Sequence, residues 1–229
     1  MTVEKITEIT LRRTLPVVFT GAENDEPVAS SQVWMRDLRL TIQNDYLVEA
    51  ESGTGKSSLC AFIYGNRRDY RGEIFFNDTN IRDFKIADWC EIRKRHLAYL
   101  PQEMLLFPEL TAMENILIKN RLTDRFSEKD IRQMLDRLEI GHKATTVAAR
   151  LSVGQQQRVA IIRALCQPFD FILLDEPVSH LDERNNLVVA RLITDSAADN
   201  GASIITTSVG NPLLLRRMER TRTVESIKL

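Results

Sequence analysis

The chain has 229 residues, of which 43% are hydrophobic and 28% charged, and this ordinary globular composition excludes a disordered or collagen-like protein. Its 31 Lys and Arg residues nearly balance 32 Asp and Glu residues, so nucleic acid is not the expected partner, because phosphate binding usually requires an excess of basic side chains. The first residues lack the order of a signal peptide and no run of 18 apolar residues occurs, which predicts a soluble intracellular protein.

The first 48 residues are predicted to be rich in strands, with a polar loop at 21–31 between them. Alternating side chains or short apolar runs predict strands at 6–11, 38–42, 46–48 and 72–76. A glycine-containing loop after residue 48 leads into a helix predicted from Lys56 to about Tyr64.

From about residue 105 to residue 165 the apolar periodicity becomes helical. Ser127 and Asp130 form a capping-box-like helix start, and Gly141 is expected to end that helix.

After this helical block, strands are predicted at 171–174 and 203–207, with a helix between them at 186–197. Strands that alternate with helices predict an α/β fold with a mostly parallel sheet. We expect one domain over 1–229, with an N-terminal β part and an inserted α-helical subdomain at about 105–165.

The strongest local signal is the loop Ser52-Gly53-Thr54-Gly55-Lys56-Ser57-Ser58, which follows an apolar strand and opens a helix. Glycines let backbone N–H groups converge on phosphate oxygens, and the helix N-terminus adds the positive end of its dipole. Lys56 is expected to reach the β- and γ-phosphates, Ser57 to ligate Mg²⁺, and Ser58 to lie near the α-phosphate.

Two residues depart from the usual phosphate-loop pattern. Ala50 stands where the first glycine belongs, which costs little at negative φ and about 1 kcal/mol or more at positive φ. Glu51 would repel a triphosphate unless its side chain points outward. The alternative for this segment is a flexible turn that binds no phosphate.

The apolar strand at 171–174 ends in two carboxylates, Asp175 and Glu176. If this strand lies next to the phosphate-loop strand, Asp175 can hold Mg²⁺ through water. Glu176 can then polarise a water for in-line attack on the γ-phosphate. Taken alone, a strand that ends in Asp and Glu is often only a solvated strand end.

Three further motifs resemble those of the ATP-binding cassette (ABC) ATPases. Leu151–Gln155 matches the family's LSGGQ signature except at Val153, Ser179–Asp182 matches its D-loop, and Leu100-Pro101-Gln102 falls where its Q-loop belongs. The resemblance covers essentially the whole chain and implies a P-loop NTPase (RecA-like) core that hydrolyses ATP with Mg²⁺. Residues 100–116 are most similar to the lipoprotein-releasing, macrolide-efflux and cell-division branch.

The resemblance also implies partners, because ABC ATPases pair head to tail. Ser152, Gly154 and Gln155 would contact the γ-phosphate on the opposite subunit. Gln102 would approach Mg²⁺ and the attacking water, and Asp182 would communicate across the dimer. The expected partners are a second ATPase subunit, most simply a second copy, and an integral membrane permease-type subunit. The chain would then lie peripherally at the cytoplasmic face of the membrane.

Ser208 stands where ABC ATPases usually place a histidine that reaches the γ-phosphate, which predicts slow basal hydrolysis. Phe19 is the nearest candidate for stacking on adenine, with core packing as the alternative. Two other functions stay open. One is an ATP-gated regulatory subunit that hydrolyses poorly, and the other is a soluble ABC protein of DNA repair or translation.

Overall fold

The computed structural model describes residues 4–218 and 222–229. The strands are β1 Glu8–Pro16, β2 Asp37–Thr41, β3 Asp45–Glu49, β4 Tyr70–Phe76, β5 Thr79–Asn80, β6 Leu97–Leu100, β7 Phe171–Asp175, β8 Ser203–Ser208 and β9 Val224–Lys228. The helices are α1 Lys56–Ile63, α2 Ile86–Arg95, α3 Ala112–Asn120, α4 Glu128–Arg137, α5 Val153–Leu165 and α6 Glu183–Asn200. Residues 1–3, which belong to the segment considered for a signal peptide, lie outside the described residues.

The larger sheet is parallel throughout and has the strand order β6-β7-β8-β3-β9. The condition considered for Asp175, that β7 lies next to the phosphate-loop strand β3, is not met, because β8 pairs with both strands and separates them. The carboxyl ends of β3, β8 and β7 nevertheless meet at one edge of the sheet, since all three run in the same direction.

The alternating side chains of β7 divide between two hydrophobic cores. Phe171 and Leu173 pack into a core shared with α1 and the smaller, antiparallel sheet, whose order is β2-β1-β4-β5. Ile172 and Leu174 pack into a second core shared with α5 and α6. A strand buried on both faces reads as a continuous apolar run, which is the pattern of this segment.

The stretch 105–165, predicted to be helical, contains α3, α4 and α5. The capping box predicted at Ser127 is confirmed, since Asp130 N–H donates to Ser127 Oγ at 3.2 Å and Ser127 N–H donates to Asp130 at 3.0 Å. The prediction that Gly141 ends this helix is wrong. The helix ends at Arg137, because Glu139 adopts a left-handed φ of 58° that breaks it two residues earlier.

Across residues 4–218 and 222–229, no helix combines the length and apolar character that a bilayer crossing requires.

Candidate functional site

The loop between β3 and α1 forms a nest of free N–H groups. Gly53 and Gly55 have φ values of 84° and 100°, which only glycine adopts without strain. Within the described part of the chain, the backbone N–H groups from Gly53 to Ser58 have no hydrogen-bond acceptor. Converging free N–H groups at a helix N-terminus suit the binding of phosphate oxygens.

The side chain of Lys56 is buried inside this nest, with only 6% of its surface exposed. Its Nζ donates to the backbone carbonyl of Glu51 at 2.7 Å and lies 3.7 Å from Glu176 Oε1. The ammonium group therefore has two oxygen neighbours, and a phosphate oxygen is able to replace either of them as its partner.

Both departures from the usual loop pattern fit the observed backbone. Ala50 lies outside the left-handed region, so its Cβ causes no strain there. Its N–H donates to the carbonyl of Ser208 at 3.2 Å, which ties the start of the loop to the end of β8. Glu51 is exposed to solvent. Neither residue distorts the nest.

A threonine at the end of β8 holds the carboxylate of Asp175, the last residue of β7, and the backbone of Glu176, which follows it. Thr207 Oγ1 donates to Asp175 Oδ1 at 2.7 Å and accepts from the N–H of Glu176 at 3.1 Å. Gln157 Nε2 on α5 donates to the carbonyl of Glu176 at 3.3 Å. Glu176 has a left-handed φ of 50°, so its backbone is fixed in an unusual conformation that turns the chain at the strand end.

The carboxylate of Asp175 is buried in surroundings that favour a bound cation. Asp175 is 1% exposed, and its Oδ2 has no hydrogen-bond partner among the described residues. Burial, with the charge of Asp175 as the second cause, raises the pKa of the Cys60 thiol well above its usual range, so this thiol stays protonated and packs. A buried carboxylate oxygen without a partner is costly unless a cation or water binds it.

Gln102 lies on the loop after β6 and reaches the start of α1. Ser57 Oγ donates to Gln102 Oε1 at 3.5 Å. Two and three residues further on, Met104 and Leu105 have left-handed φ values of 60° and 50°. The guanidinium of Arg163 on α5 donates to the carbonyls of Met104 and Leu105, at 2.8 Å for Leu105, and so holds this loop against α5.

Beside the Gln102 loop lies a small groove of about 290 Å³. It is lined by Tyr64, Asn66, Tyr99, Pro101, Leu105, Ile118, Lys119, Arg163 and Ala164. Leu105 and Ile118 expose 64% and 41% of their surfaces. Burial, followed by the charges of Arg163 and Arg93, lowers the pKa of Lys119 to about 8. The groove therefore combines exposed apolar side chains with positive charge.

The signature segment opens α5 and leaves two donors free. Ser152 Oγ accepts from the N–H of Gln155 at 3.3 Å, and Gln155 Oε1 accepts from the N–H of Ser152 at 3.1 Å. The N–H groups of Val153 and Gly154 have no acceptor in the described structure. No hydrogen bond or ion pair among the described residues joins this segment to the phosphate loop of the same chain.

Two other predicted site residues have local partners, and a third is exposed to solvent. Asp182 caps α6 by accepting from the N–H of Asn185 at 2.8 Å, and Ser58 Oγ accepts from Arg67 Nη1 at 2.8 Å. Ser52 is exposed beside the nest.

The remaining two predicted residues, Phe19 and Ser208, lie at the borders of the loop. Phe19 is half-buried, and a Cβ placed on Gly55 would come within 3.5 Å of its ring. Its neighbour Val18 is 77% exposed. Ser208 is 3% exposed, and its hydroxyl has no partner among the described residues.

A groove of about 810 Å³ borders the phosphate loop, and neither Lys56 nor Ser57 lines it. It is lined by Glu26, Pro27, Ser30, the stretch 49–54, Lys228 and Leu229. Three of these residues are glutamates, whose charge opposes a triphosphate. The groove shares Gly53 and Thr54 with the nest, and the phosphates fit the part of the nest beside Lys56 better than the glutamate-lined remainder of the groove.

Sequence reasoning missed Thr207, Gln157 and Trp34, all of which contact site residues through hydrogen bonds. One available signal pointed to Thr207, since it belongs to the run of polar residues, Thr206 to Ser208, that ends β8. No comparable signal in the sequence pointed to Trp34 or Gln157, because the residues that they contact lie on other elements of the fold.

A nest at a helix start, supported by a parallel sheet and faced by buried carboxylates, defines the P-loop class of nucleotide-binding ATPases. The ABC transporter family model matches residues 36–179, and the chain belongs to that family. It is an ATPase cassette of the ABC transporter type, as the motifs predicted.

The relatives include proteins of the branch expected from the sequence. The chain is 29% identical over 193 residues to the lipoprotein-releasing system ATP-binding protein LolD of Shewanella oneidensis, covering 83% of this chain and 84% of the relative. It is 30% identical over 190 residues to the ABC transporter ATP-binding protein YtrE of Bacillus subtilis, covering 81% and 80%.

Solved structures agree with the fold. A dimeric structure of MJ0796, a bacterial ABC transporter cassette, aligns with a TM-score of 0.72 at 25% identity over 96% of this chain and 94% of that chain. A dimeric post-hydrolysis structure of MJ0796 bound to ADP and Pi aligns with a TM-score of 0.68 at 25% identity over 76% and 78%.

Proposed function

We propose that this chain binds Mg²⁺ and ATP at the nest over α1, hydrolyses the ATP, and closes on a second copy to drive a membrane partner. The position of Lys56 carries the proposal. It is buried between the carbonyl of Glu51 and the carboxylate of Glu176, in a loop whose N–H groups from Gly53 to Ser58 are free. A buried ammonium group beside free donors is suited to a polyphosphate.

The residues around the nest fit a magnesium ion. Ser57 Oγ and Gln102 Oε1 lie together, and Asp175 Oδ2 is buried without a partner. Mg²⁺ prefers hard oxygen ligands and retains several waters, so Asp175 would hold it through water and Ser57 directly. When bound, the ion neutralises charge on the β- and γ-phosphates.

Hydrolysis is assigned to Glu176 with Gln102. The Glu176 backbone is held by Thr207 and Gln157, so its carboxylate is pre-positioned at the edge of the nest. There it accepts a proton from the attacking water, which Gln102 helps to orient. Ser208 supplies no charged donor at the γ-phosphate, and the resulting rate is slow.

The second copy supplies what the nest lacks. The free N–H groups of Val153 and Gly154, with the hydroxyl of Ser152, form a donor set at the start of α5. Because this set makes no contact with the described phosphate loop of its own chain, it is available to the γ-phosphate on the partner. Gln155 stabilises this donor set through the capping box with Ser152. Asp182 comes two residues after His180, whose carbonyl would lie 3.6 Å from a Cβ placed on Gly154.

We assign the groove beside the Gln102 loop to the membrane partner, an integral permease-type subunit that holds the chain at the cytoplasmic face. A short apolar segment with an acidic side chain fits there, since Leu105 and Ile118 are exposed while Lys119 and Arg163 carry positive charge. Arg163 also holds the carbonyl of Leu105, so binding in the groove reaches the loop that carries Gln102.

The test is ATP binding and turnover by the purified chain. Lys56→Ala should abolish calorimetric binding of ATP, and Glu176→Gln should retain binding but lose turnover by about 10²–10⁴, the usual contribution of a general base. Unchanged ATP affinity in Lys56→Ala would refute the nest as the site. Unchanged turnover in Glu176→Gln would refute the role of that carboxylate.

Ser208 favours a second candidate, an ATP-gated regulatory subunit whose dimer closure is itself the output. In that case turnover stays negligible even when the membrane partner is added, while ATP still closes the dimer. Stimulation of turnover by the co-purified partner distinguishes the first function from the second.

A further inference from the structure

Trp34 lies directly beneath the phosphate loop, although it is far from the loop in sequence. It is 0% exposed, and its indole Nε1–H donates to the backbone carbonyl of Thr54 at 2.9 Å. A Cβ placed on Gly55 would lie only 2.9 Å from Trp34 Cζ2, so the ring is in close contact with the loop backbone.

This hydrogen bond fixes the orientation of one peptide plane of the nest. In a trans peptide the carbonyl and the following N–H point in opposite directions. The Thr54–Gly55 peptide is trans, so a carbonyl held down on Trp34 turns the N–H of Gly55 away from the ring, toward the open side of the loop. That N–H is one of the free donors from Gly53 to Ser58.

Trp34 is itself held rigidly. Its N–H donates to the hydroxyl of Ser31 at 2.8 Å, and its ring packs edge-on against Phe62 of α1 at 6.4 Å between centroids. Ser31 is 3% exposed and also accepts from the N–H of Val33 at 3.0 Å. The indole therefore connects a fixed turn, the helix and the phosphate loop.

We propose that Trp34 is a positioning residue for nucleotide binding, whose indole N–H aims the Gly55 N–H at the phosphates. The proposal rests on the proposed function of the nest. In this proposal the Gly55 N–H contributes uniform binding of the phosphates, so loss of the Trp34 hydrogen bond should raise Kd and KM and leave kcat nearly unchanged.

Trp34→Phe retains an aromatic ring but removes the indole donor together with the second ring, and the same truncation at Trp89 serves to separate the two losses. We expect the Kd for a non-hydrolysable ATP analogue, measured by calorimetry, to rise by about threefold to tenfold, the effect of one buried hydrogen bond. KM for ATP should rise by a similar factor, with kcat changed by less than about twofold.

Trp89→Phe is the matched control. Trp89 is also buried, at 5% exposure, but its Nε1 has no partner among the described residues. This variant should keep the wild-type Kd. It also leaves Trp34 as the sole tryptophan, whose fluorescence should change on addition of the analogue, while the fluorescence of Trp34→Phe should not.

Equal Kd values for wild type and Trp34→Phe would overturn the proposal, as would an equal loss of affinity in Trp89→Phe. If Trp34→Phe does not fold, the test is the fluorescence of Trp34 in the Trp89→Phe variant. An emission that does not change when the analogue is added would then overturn the proposal. A wild-type chain that binds no analogue refutes the proposed function itself, and the role of Trp34 with it.

Discussion

Ser208→His should accelerate ATP hydrolysis, because it restores a charged donor at the end of β8. The carbonyl of Ser208 accepts from the N–H of Ala50 at 3.2 Å, so this position adjoins the first residue of the phosphate loop. The serine hydroxyl has no partner among the described residues, and the substitution therefore breaks no side-chain hydrogen bond.

The size of the gain follows from two opposing effects. A missing transition-state donor commonly costs about 10²–10³ in rate. Ser208 is only 3% exposed, however, so a larger imidazole must displace its neighbours and regains part of that factor. We expect kcat to rise severalfold, to about tenfold at most, while ATP affinity changes by less than about twofold.

The assay is steady-state turnover at saturating Mg²⁺ and ATP, with Ser208→Asn as the control. Asparagine places a polar amide where histidine has Nδ1 but is shorter than the imidazole and carries no charge, so it should give no gain. A wild type that already turns over at about 10 s⁻¹, the median for enzymes, together with a neutral or harmful Ser208→His, would refute the reasoning. Another group would then occupy the role assigned to the histidine.

Two further predictions concern residues that pack around the site. Thr207→Val should lower the free energy of unfolding by about 1–3 kcal/mol in chemical denaturation, and lower turnover as well, because it removes the donor to the buried Asp175 carboxylate. The control is Thr206→Val, which removes a buried hydroxyl without a described partner and should be neutral or stabilising. Equal effects of the two substitutions would contradict the role assigned to Thr207. Since burial lowers the pKa of Lys119 from 10.5 to about 8, the unfolded chain binds this proton more tightly, and stability should rise from pH 8 to pH 10.5. Lys119→Met should therefore raise the melting temperature at pH 7, and this increase over the wild type should become smaller toward pH 10.5. A difference in melting temperature that does not depend on pH would contradict the prediction.

The phosphate loop and the Ser127 cap could be predicted because their signals are local. Both depend on residues within about one helical turn of each other, so spacing alone identifies them. The sequence left the cost of Ala50 open because that cost depends on φ, and the structure places the residue outside the left-handed region. Glu139 could not be anticipated, since a non-glycine residue rarely adopts the left-handed conformation that ends a helix.

Contacts between strands that are far apart along the chain could not be predicted from the sequence. The hydrogen bond from Thr207 to Asp175 depends on the register between β8 and β7, which pairs residues 32 positions apart. The insertion of β8 between β3 and β7 is likewise a property of topology, because periodicity predicts a strand without giving its neighbours. Trp34 reaches Thr54 across 20 residues for the same reason.

The central claim is that ATP bound at the nest closes two copies of this chain. Sedimentation of Glu176→Gln with and without ATP tests it most directly, because the amide keeps the shape of the side chain and removes the negative charge that faces Lys56. The account predicts a monomer without nucleotide, a stable dimer with ATP, and a return to monomer when Lys56→Ala is added to the same chain. A Glu176→Gln protein that binds ATP and stays monomeric at every concentration tested would contradict the account.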